Sequence, residues 1–256
     1  MNILEVSQLT KTFGGLTAVS SVDFNIRKGE ILGLIGPNGA GKTTVFNLIT
    51  GIYQPDQGDV SLEGKSVVGS KPHVIAGSGI ARTFQTIRLF GTMTVLENVM
   101  SGQHVRSRAG LWASIFQSRQ QKKEEEQIYQ VAEEKLKLAK IWHVRNELAK
   151  NLAYGDQRRL EIVRALATFP KLIILDEPAG GLNEQESFEL MGLIKTIRDS
   201  GITVLLIEHD MSVVMNVSDR IVVLDNGEKI AEGTPEEIRA NEKVIEAYLG
   251  KQEDDF

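Results

Sequence analysis

An α/β fold, its parallel sheet interrupted by a helical insertion, is what this 256-residue sequence predicts. Three runs, EILGLIG, KLIILDE and ITVLLIEH, are almost continuously apolar instead of alternating, as in strands covered on both faces. Helical periodicity separates two of them, as crossovers between parallel strands require. From about residue 90 to 155 the pattern is helical throughout, so the insertion falls in the middle of the chain.

The elements follow in order. ILEVSQLTKTF and SSVDFNI are short strand-like runs, closed by the turn RKGE. EILGLIG is a buried strand that feeds a glycine-rich loop and the helix KTTVFNLITG, which Gly51 ends. DQGDVSLEGKSV reads as a hairpin. Thr94 and Glu97 have capping-box spacing and open the helical stretch, which continues through RQQKKEEEQIYQVAEEKLKLA. Helix LEIVRALA, strand KLIILDE, helix EQESFELMGLIKTIRDSG and strand ITVLLIEH then alternate. RIVVLDNGEKIAEG is a hairpin turning at Asn226 and Gly227. TPEEIRANEKVIEAYL reads as one closing helix, with Thr234 as N-cap and Pro235 at its first position, before the frayed acidic tail QEDDF.

Composition narrows the function. With 41% hydrophobic residues the chain can bury one large core plus an inserted subdomain. A net charge of -5 argues against a nucleic-acid partner, which calls for a basic face. Zero cysteines exclude disulfides, thiol nucleophiles and cysteine-ligated metals. The opening MNILEVSQLTK lacks a signal-peptide pattern, and no apolar stretch approaches the ~20 residues of a bilayer span. A cytoplasmic protein is expected, one still able to sit on a membrane protein.

The chemistry begins at GPNGAGKTT: Gly36, Pro37, Asn38, Gly39, Ala40, Gly41, Lys42, Thr43 and Thr44. It fits G-x-x-x-x-G-K-[ST] and has a strand before it and a helix after it. Glycines let the backbone wrap phosphates, with N–H groups converging at a helix N-terminus. Lys42 would reach the β- and γ-phosphates, and the Thr43 hydroxyl would ligate Mg²⁺. KLIILDE supplies Asp176, a carboxylate for the metal, and Glu177, a base for the attacking water. His209 closes the run LLIEH, at a strand end where nucleotide sites lie. Gln85, from its own context, is a surface glutamine. LAYGDQ, running into RRLEIVRALA, looks like half of a second phosphate site.

In this order and spacing GPNGAGKTT, Gln85, LAYGDQRR, LIILDEP and His209 resemble the ATP-binding subunits of ABC transporters over essentially the whole chain. The resemblance implies a P-loop NTPase fold: a RecA-like core with an antiparallel β-subdomain over 1–88 and 156–256, and a helical subdomain over 89–155. It implies that Phe13 stacks on adenine, that Gln85 lies on a loop sensing metal and permease, and that His209 is the switch histidine. It also explains LAYGDQ. In this family that position (Ala153, Tyr154, Gly155 and Asp156 here) closes over the ATP of a second subunit, itself or a paralogue, in a head-to-tail sandwich dimer.

The chain departs from the family's usual L-S-G-G-Q by Ala153, Tyr154 and Asp156, so backbone amides and Gly155 must carry the contact. Asn183 stands where an aspartate is usual in the loop after Glu177. LAYG before QRRLEI, DEPAGGLN, IEHDM and the ending VIEAYLG resemble the ATPases of branched-chain amino-acid importers. That implies Mg·ATP, transmembrane permease subunits, an indirect link to a solute-binding protein, and a place on the inner face of the membrane. An exporter of lipopolysaccharide type would carry a more usual signature. A DNA-repair ATPase would need long coiled-coil or zinc insertions, and a GTPase an N-K-x-D segment. Leu111, Trp112, Ile115 and Phe116 form an apolar helical face flanked by Arg106, Arg108, Arg119, Lys122 and Lys123. It suits either a permease or bilayer contact, or packing within the helical subdomain.

Overall fold

The structure is a computed structural model that describes residues 1–103 and 119–249, with side chains over 123–248 in the second part. The apolar face expected at residues 111–116 and the acidic tail lie outside the described residues.

Two sheets organise the fold. The strands β1 (Asn2–Phe13), β2 (Leu16–Arg27), β4 (Gln57–Leu62) and β5 (Lys65–Ser66) form an antiparallel sheet in the order β2-β1-β4-β5. The second sheet has the order β10-β9-β3-β8-β7-β6, from β3 (Ile31–Ile35), β6 (Ile80–Arg82), β7 (Leu172–Asp176), β8 (Thr203–Ile207), β9 (Arg220–Asp225) and β10 (Glu228–Gly233). All its pairings are parallel except β9 with β10.

The continuous apolar runs now have a reason. Leu32, Leu34, Ile174, Leu205 and Val222 face a core shared with the antiparallel sheet and with α1 (Lys42–Ile49). Their neighbours Ile31, Ile35, Ile173, Leu206 and Val223 face a second core under the helices. A side-chain period of two puts alternate residues on opposite faces, so a strand between two cores must be apolar at every position. Each such burial contributes about 1.5–3 kcal/mol. The helical core takes in α3 (Val95–Gln103), α4 (Arg119–Leu138), α5 (Tyr154–Leu166) and α6 (Glu184–Asp199).

Local signals place most boundaries. Thr94 and Glu97 form the expected capping box, with Glu97 N donating to Thr94 Oγ1 at 3.2 Å and Thr94 N to Glu97 Oε2 at 2.7 Å. Thr234 and Glu237 form another at α8 (Pro235–Arg239). Asn226 and Gly227 both have positive φ, 47° and 81°, the backbone of a type I′ hairpin turn.

The differences from expectation are also physical. The first two strands are 12 residues each, longer than the short runs expected, because register shifts bend the pair and let polar positions continue the ladder. β9 is more than a hairpin arm. It pairs in parallel with β3 inside the main sheet. Helix α2 (Pro72–Ser78) and the three-residue β6 were not legible, being too short for periodicity to register. The closing segment is two helices, because Asn241 Oδ1 accepts from Val244 N at 3.3 Å and starts α9 (Glu242–Leu249) afresh. β8 stops at Ile207, so His209 lies in the loop beyond the strand instead of ending it. α5 begins at Tyr154, inside LAYGDQ.

Candidate nucleotide site

At the carboxyl end of β3 the chain turns through Gly36 into α1. A Cβ on Gly36 would lie 2.1 Å from the Leu224 carbonyl oxygen of β9, and one on Gly41 (φ 98°) would lie 2.5 Å from the Ala18 oxygen. Only glycine lets the loop pass this close to its neighbours. Lys42 Nζ donates to the carbonyls of Gly36 (2.6 Å) and Pro37 (2.9 Å), so the ammonium lies folded across the loop. α1 has Gly41 at its N-cap with no side-chain cap, and no acid in its first turn. Its positive end is therefore presented to an anion without a competing carboxylate on the helix. The resulting cleft, about 380 Å³, is walled by Asn38, Gly39, Ala40, Gly41, Lys42, Thr43 and Thr44, with Glu177 across from them.

The strand ends deliver the other groups. Burial pushes the Asp176 carboxyl up, the Glu177 charge beside it adds to this, and Arg82, Arg158 and Lys42 pull against both. Glu177 takes φ 45°, a left-handed backbone that costs a non-glycine residue about 1 kcal/mol or more. Its N–H donates to Ile207 O at 2.8 Å, which ties the strained turn to β8. Gln85 Nε2 donates to Glu177 Oε2 at 2.9 Å, and His209 Nδ1 stands 3.6 Å from the same oxygen with its side chain 57% exposed. Gln85 is thus no ordinary surface glutamine. Two residues from distant parts of the sequence converge on the Glu177 carboxylate at the phosphate cleft.

The residues of LAYGDQ lie elsewhere. Ala153 is the N-cap of α5 and provides no side-chain cap, while Gly155 is buried in the first turn. A Cβ there would meet Glu186 Oε1 at 2.7 Å. Tyr154 is half exposed, and Asp156 pairs with Arg159 at 3.2 Å. Among the described residues, none of 153–156 walls the cleft around residues 36–44. Asn183 caps α6, its Oδ1 accepting from Glu186 N at 2.9 Å while Glu186 Oε2 accepts from Asn183 N. Phe13, 41% exposed at the end of β1, meets Tyr53 edge-on at 5.2 Å between ring centroids. Phe13 does not itself wall the cleft; its chain neighbours Leu16, Thr17 and Ala18 do.

Several residues of the site were not foreseen. Asn226 and Gly227 wall the cleft, and Gly227 N donates to Ala40 O at 3.1 Å, so the β9–β10 turn props the loop. Glu208, fully buried, accepts from Ala179 N (2.7 Å) and His209 N (3.2 Å) and so ties the loop after β7 to the loop after β8. Burial pushes its carboxyl up, against the pull of backbone N–H groups. An acid at the end of an apolar run was its one signal. The pairing of Arg158 with Glu161 (3.1 Å) had no sequence signal beyond the i,i+3 spacing.

A phosphate loop opposed by a strand-end carboxylate, on a parallel sheet, defines a nucleotide-hydrolysing cassette of the P-loop class. Known proteins make the class specific. The family model described as "ABC transporter" matches residues 19–180, and one described as "Branched-chain amino acid ATP-binding cassette transporter" matches residues 228–254. The high-affinity branched-chain amino acid transport ATP-binding protein BraF of Pseudomonas aeruginosa is 47% identical over 97% of this chain and 98% of its own. A solved ABC-transporter cassette in its ADP conformation superposes with TM-score 0.85 at 34% identity, over 98% and 99% of the two chains. A dimeric cassette in a post-hydrolysis state, bound to ADP and Pi, does so with TM-score 0.76 at 28% identity, over 91% and 98%. The chain belongs to the ABC transporter family, as an ATP-binding and ATP-hydrolysing subunit. No helix among its described residues is long and apolar enough to cross a membrane.

Proposed function

We propose that this chain is the motor subunit of an importer for branched-chain amino acids, docked on permease subunits at the inner face of the membrane. The names of its relatives and the C-terminal family match support the solute. We read 1–88 and 156–256 as the nucleotide-binding core with its β-subdomain, and 89–155 as the helical subdomain. A solute-binding protein would act upstream of the permease, and no nucleic acid is involved.

One observation carries the chemistry: Gln85 and His209 bracket the Glu177 carboxylate across the cleft from Lys42 and Thr43. The loop amides and Lys42 hold the β- and γ-phosphates of ATP. Phe13 takes the adenine. Among the described residues no cluster of three or more His, Cys, Asp or Glu could cage a metal. That suits Mg²⁺, which keeps waters and phosphate oxygens and takes few protein ligands. Thr43, Gln85 and Asp176 would hold it, and when bound it would supply positive charge to the phosphates. Glu177 orients a water and accepts its proton as the water oxygen bonds to the γ-phosphorus. The bond from that phosphorus to the β,γ-bridging oxygen breaks, leaving ADP and inorganic phosphate.

The separation of residues 153–156 from their own chain's cleft supports a shared site. The uncapped mouth of α5, through Ala153, Tyr154, Gly155 and Asp156, would meet the γ-phosphate held by a second subunit, a copy or a paralogue. A groove of about 680 Å³ beside the Gln85 loop, lined by Ile52, Ile75, Phe84 and Phe90 with Arg88 and Arg164, suits a permease segment.

The test is uptake of labelled leucine, isoleucine and valine by cells lacking the chain. Wild type should restore it and Glu177→Gln should not, although the purified variant still binds ATP. Uptake undisturbed by loss of the chain overturns the solute. ATP hydrolysis by Glu177→Gln at half the normal rate or better overturns the catalytic carboxylate.

A further inference from the structure

Arg158 is among the largest side chains buried in the protein, at 1% exposure, and it sits one turn inside α5. Its guanidinium spans two successive carbonyls of the Gln85 loop: Nη1 donates to Phe84 O at 2.8 Å, and Nη2 to Gln85 O at 2.9 Å. The same nitrogens also reach Glu161 Oε2 (3.1 Å) and the Tyr154 hydroxyl (3.2 Å). Glu161 completes the tie, its Oε1 accepting from Arg88 N at 3.1 Å. Two side chains of one helix thus hold the loop at residues 84, 85 and 88.

Stability alone does not call for this arrangement. A buried ion pair usually contributes little over apolar residues of the same volume, because desolvation offsets the attraction. Burial pushes the Glu161 carboxyl up even with Arg158 beside it. What the guanidinium supplies is geometry, a planar fork that fixes two acceptors at once.

The two ends of the tie are both functional. At one end, Tyr154 and Gly155 form the mouth of α5, with the Tyr154 ring against Gly181 and Glu186 against Gly155. At the other, the Gln85 side chain holds Glu177 Oε2 at 2.9 Å. We propose that Arg158 is a positioning residue that ties the mouth of α5 to Gln85, so that the seat of α5 sets whether Gln85 orients Glu177. Since that mouth is read above as facing the second subunit's ATP, each carboxylate would respond to the nucleotide bound by its partner. The inference rests on the proposed roles of Glu177 and residues 153–156.

The experiment compares the purified full chain with Arg158→Met/Glu161→Gln, which removes both charges and keeps an acceptor for Arg88 N. ATPase rates are measured alongside thermal unfolding and binding of a fluorescent ATP analogue. A positioning role predicts an unfolding midpoint near wild type, KM for ATP within about twofold, and kcat at least tenfold lower. Adding Gln85→Ala should then cost less than a further twofold, although Gln85→Ala alone slows the wild type by at least tenfold, because residues acting in series are not additive. Arg158→Lys, which keeps the charge but not the fork, should recover only part of the rate. Wild-type kcat in the double variant, or a full additional loss from Gln85→Ala, overturns the tie. A Glu177→Gln control separates the two readings. If it still turns over, the catalytic reading fails. If it is inactive while Arg158→Met/Glu161→Gln is not, only the tie fails.

Discussion

Replacing Phe13 by alanine tests the adenine platform, and the structure sets the size of each consequence. Phe13 is 41% exposed, so little of its area is lost from the core. The contacts forfeited are the edge-on ring pair with Tyr53 at 5.2 Å and the Lys11 ammonium 5.5 Å above the ring. Such a pair contributes about 0.5–1.5 kcal/mol. Lys11 keeps its ion pair with Asp56 at 2.7 Å, so its share is small. The fold should therefore lose only about 1–2 kcal/mol, a shift of a few degrees in a domain of this size. ATP should lose more, about 1–3 kcal/mol for the missing stack. That is about 5- to 150-fold in Kd, at tenfold per 1.4 kcal/mol. Calorimetric titration with ATP measures it, and inorganic tripolyphosphate is the control, since it fills the phosphate loop but has no base. Phe13→Ala should weaken ATP and leave tripolyphosphate unchanged, and Phe13→Trp should restore ATP. Unchanged ATP affinity, or an equal loss for tripolyphosphate, would refute the stacking role.

Asp176→Asn should raise the thermal midpoint of the nucleotide-free chain at neutral pH and abolish the extra stabilisation by ATP that requires Mg²⁺. Burial holds the folded carboxyl above its unfolded value near 3.8, so its contribution is complete below that value and is lost as pH rises through the folded value. The gain should thus shrink as the pH is lowered towards 4, and a variant less stable than wild type at neutral pH would contradict it. Mixing Lys42→Ala with Gly155→Asp tests the shared site. Each homodimer carries two damaged sites, whereas a head-to-tail mixed dimer concentrates both lesions in one and leaves the other with an intact Lys42 and an intact α5 mouth. The aspartate Cβ would stand 2.7 Å from Glu186 Oε1, at the mouth of α5. From there the Arg158 tie reaches Gln85 of the same chain, so the tie would hold the recovered rate below half. Mixing should restore nucleotide-dependent dimerisation and up to about half of the ATPase activity if the sites act independently. No gain over the separate variants, where wild type dimerises and turns over, would sink the shared site.

The sequence by itself determined whatever depends on local spacing. The phosphate loop was readable because a strand, a glycine turn and a helix must be contiguous to build it. The capping box at Thr94, the N-cap at Thr234 and the turn at Asn226 and Gly227 were readable because their hydrogen bonds close within a few residues. The two-sided burial of β3, β7 and β8 showed in their unbroken apolar runs. The motif order also carried the family, and with it the role proposed for LAYGDQ. Tertiary structure decided what depends on which strands become neighbours. β9 stands beside β3, and only that adjacency brings the β9–β10 turn against the phosphate loop and forbids any side chain at Gly36. From its own context Gln85 read as a surface residue and only the family resemblance gave it a role; the pairing of β6 with β7 is what aims its amide at Glu177, 92 positions away. Arg158 gave no sign at all. An arginine on an amphipathic helix is usually solvated, and only the packing of α5 under the Gln85 loop takes this one out of water and gives it two carbonyls to hold.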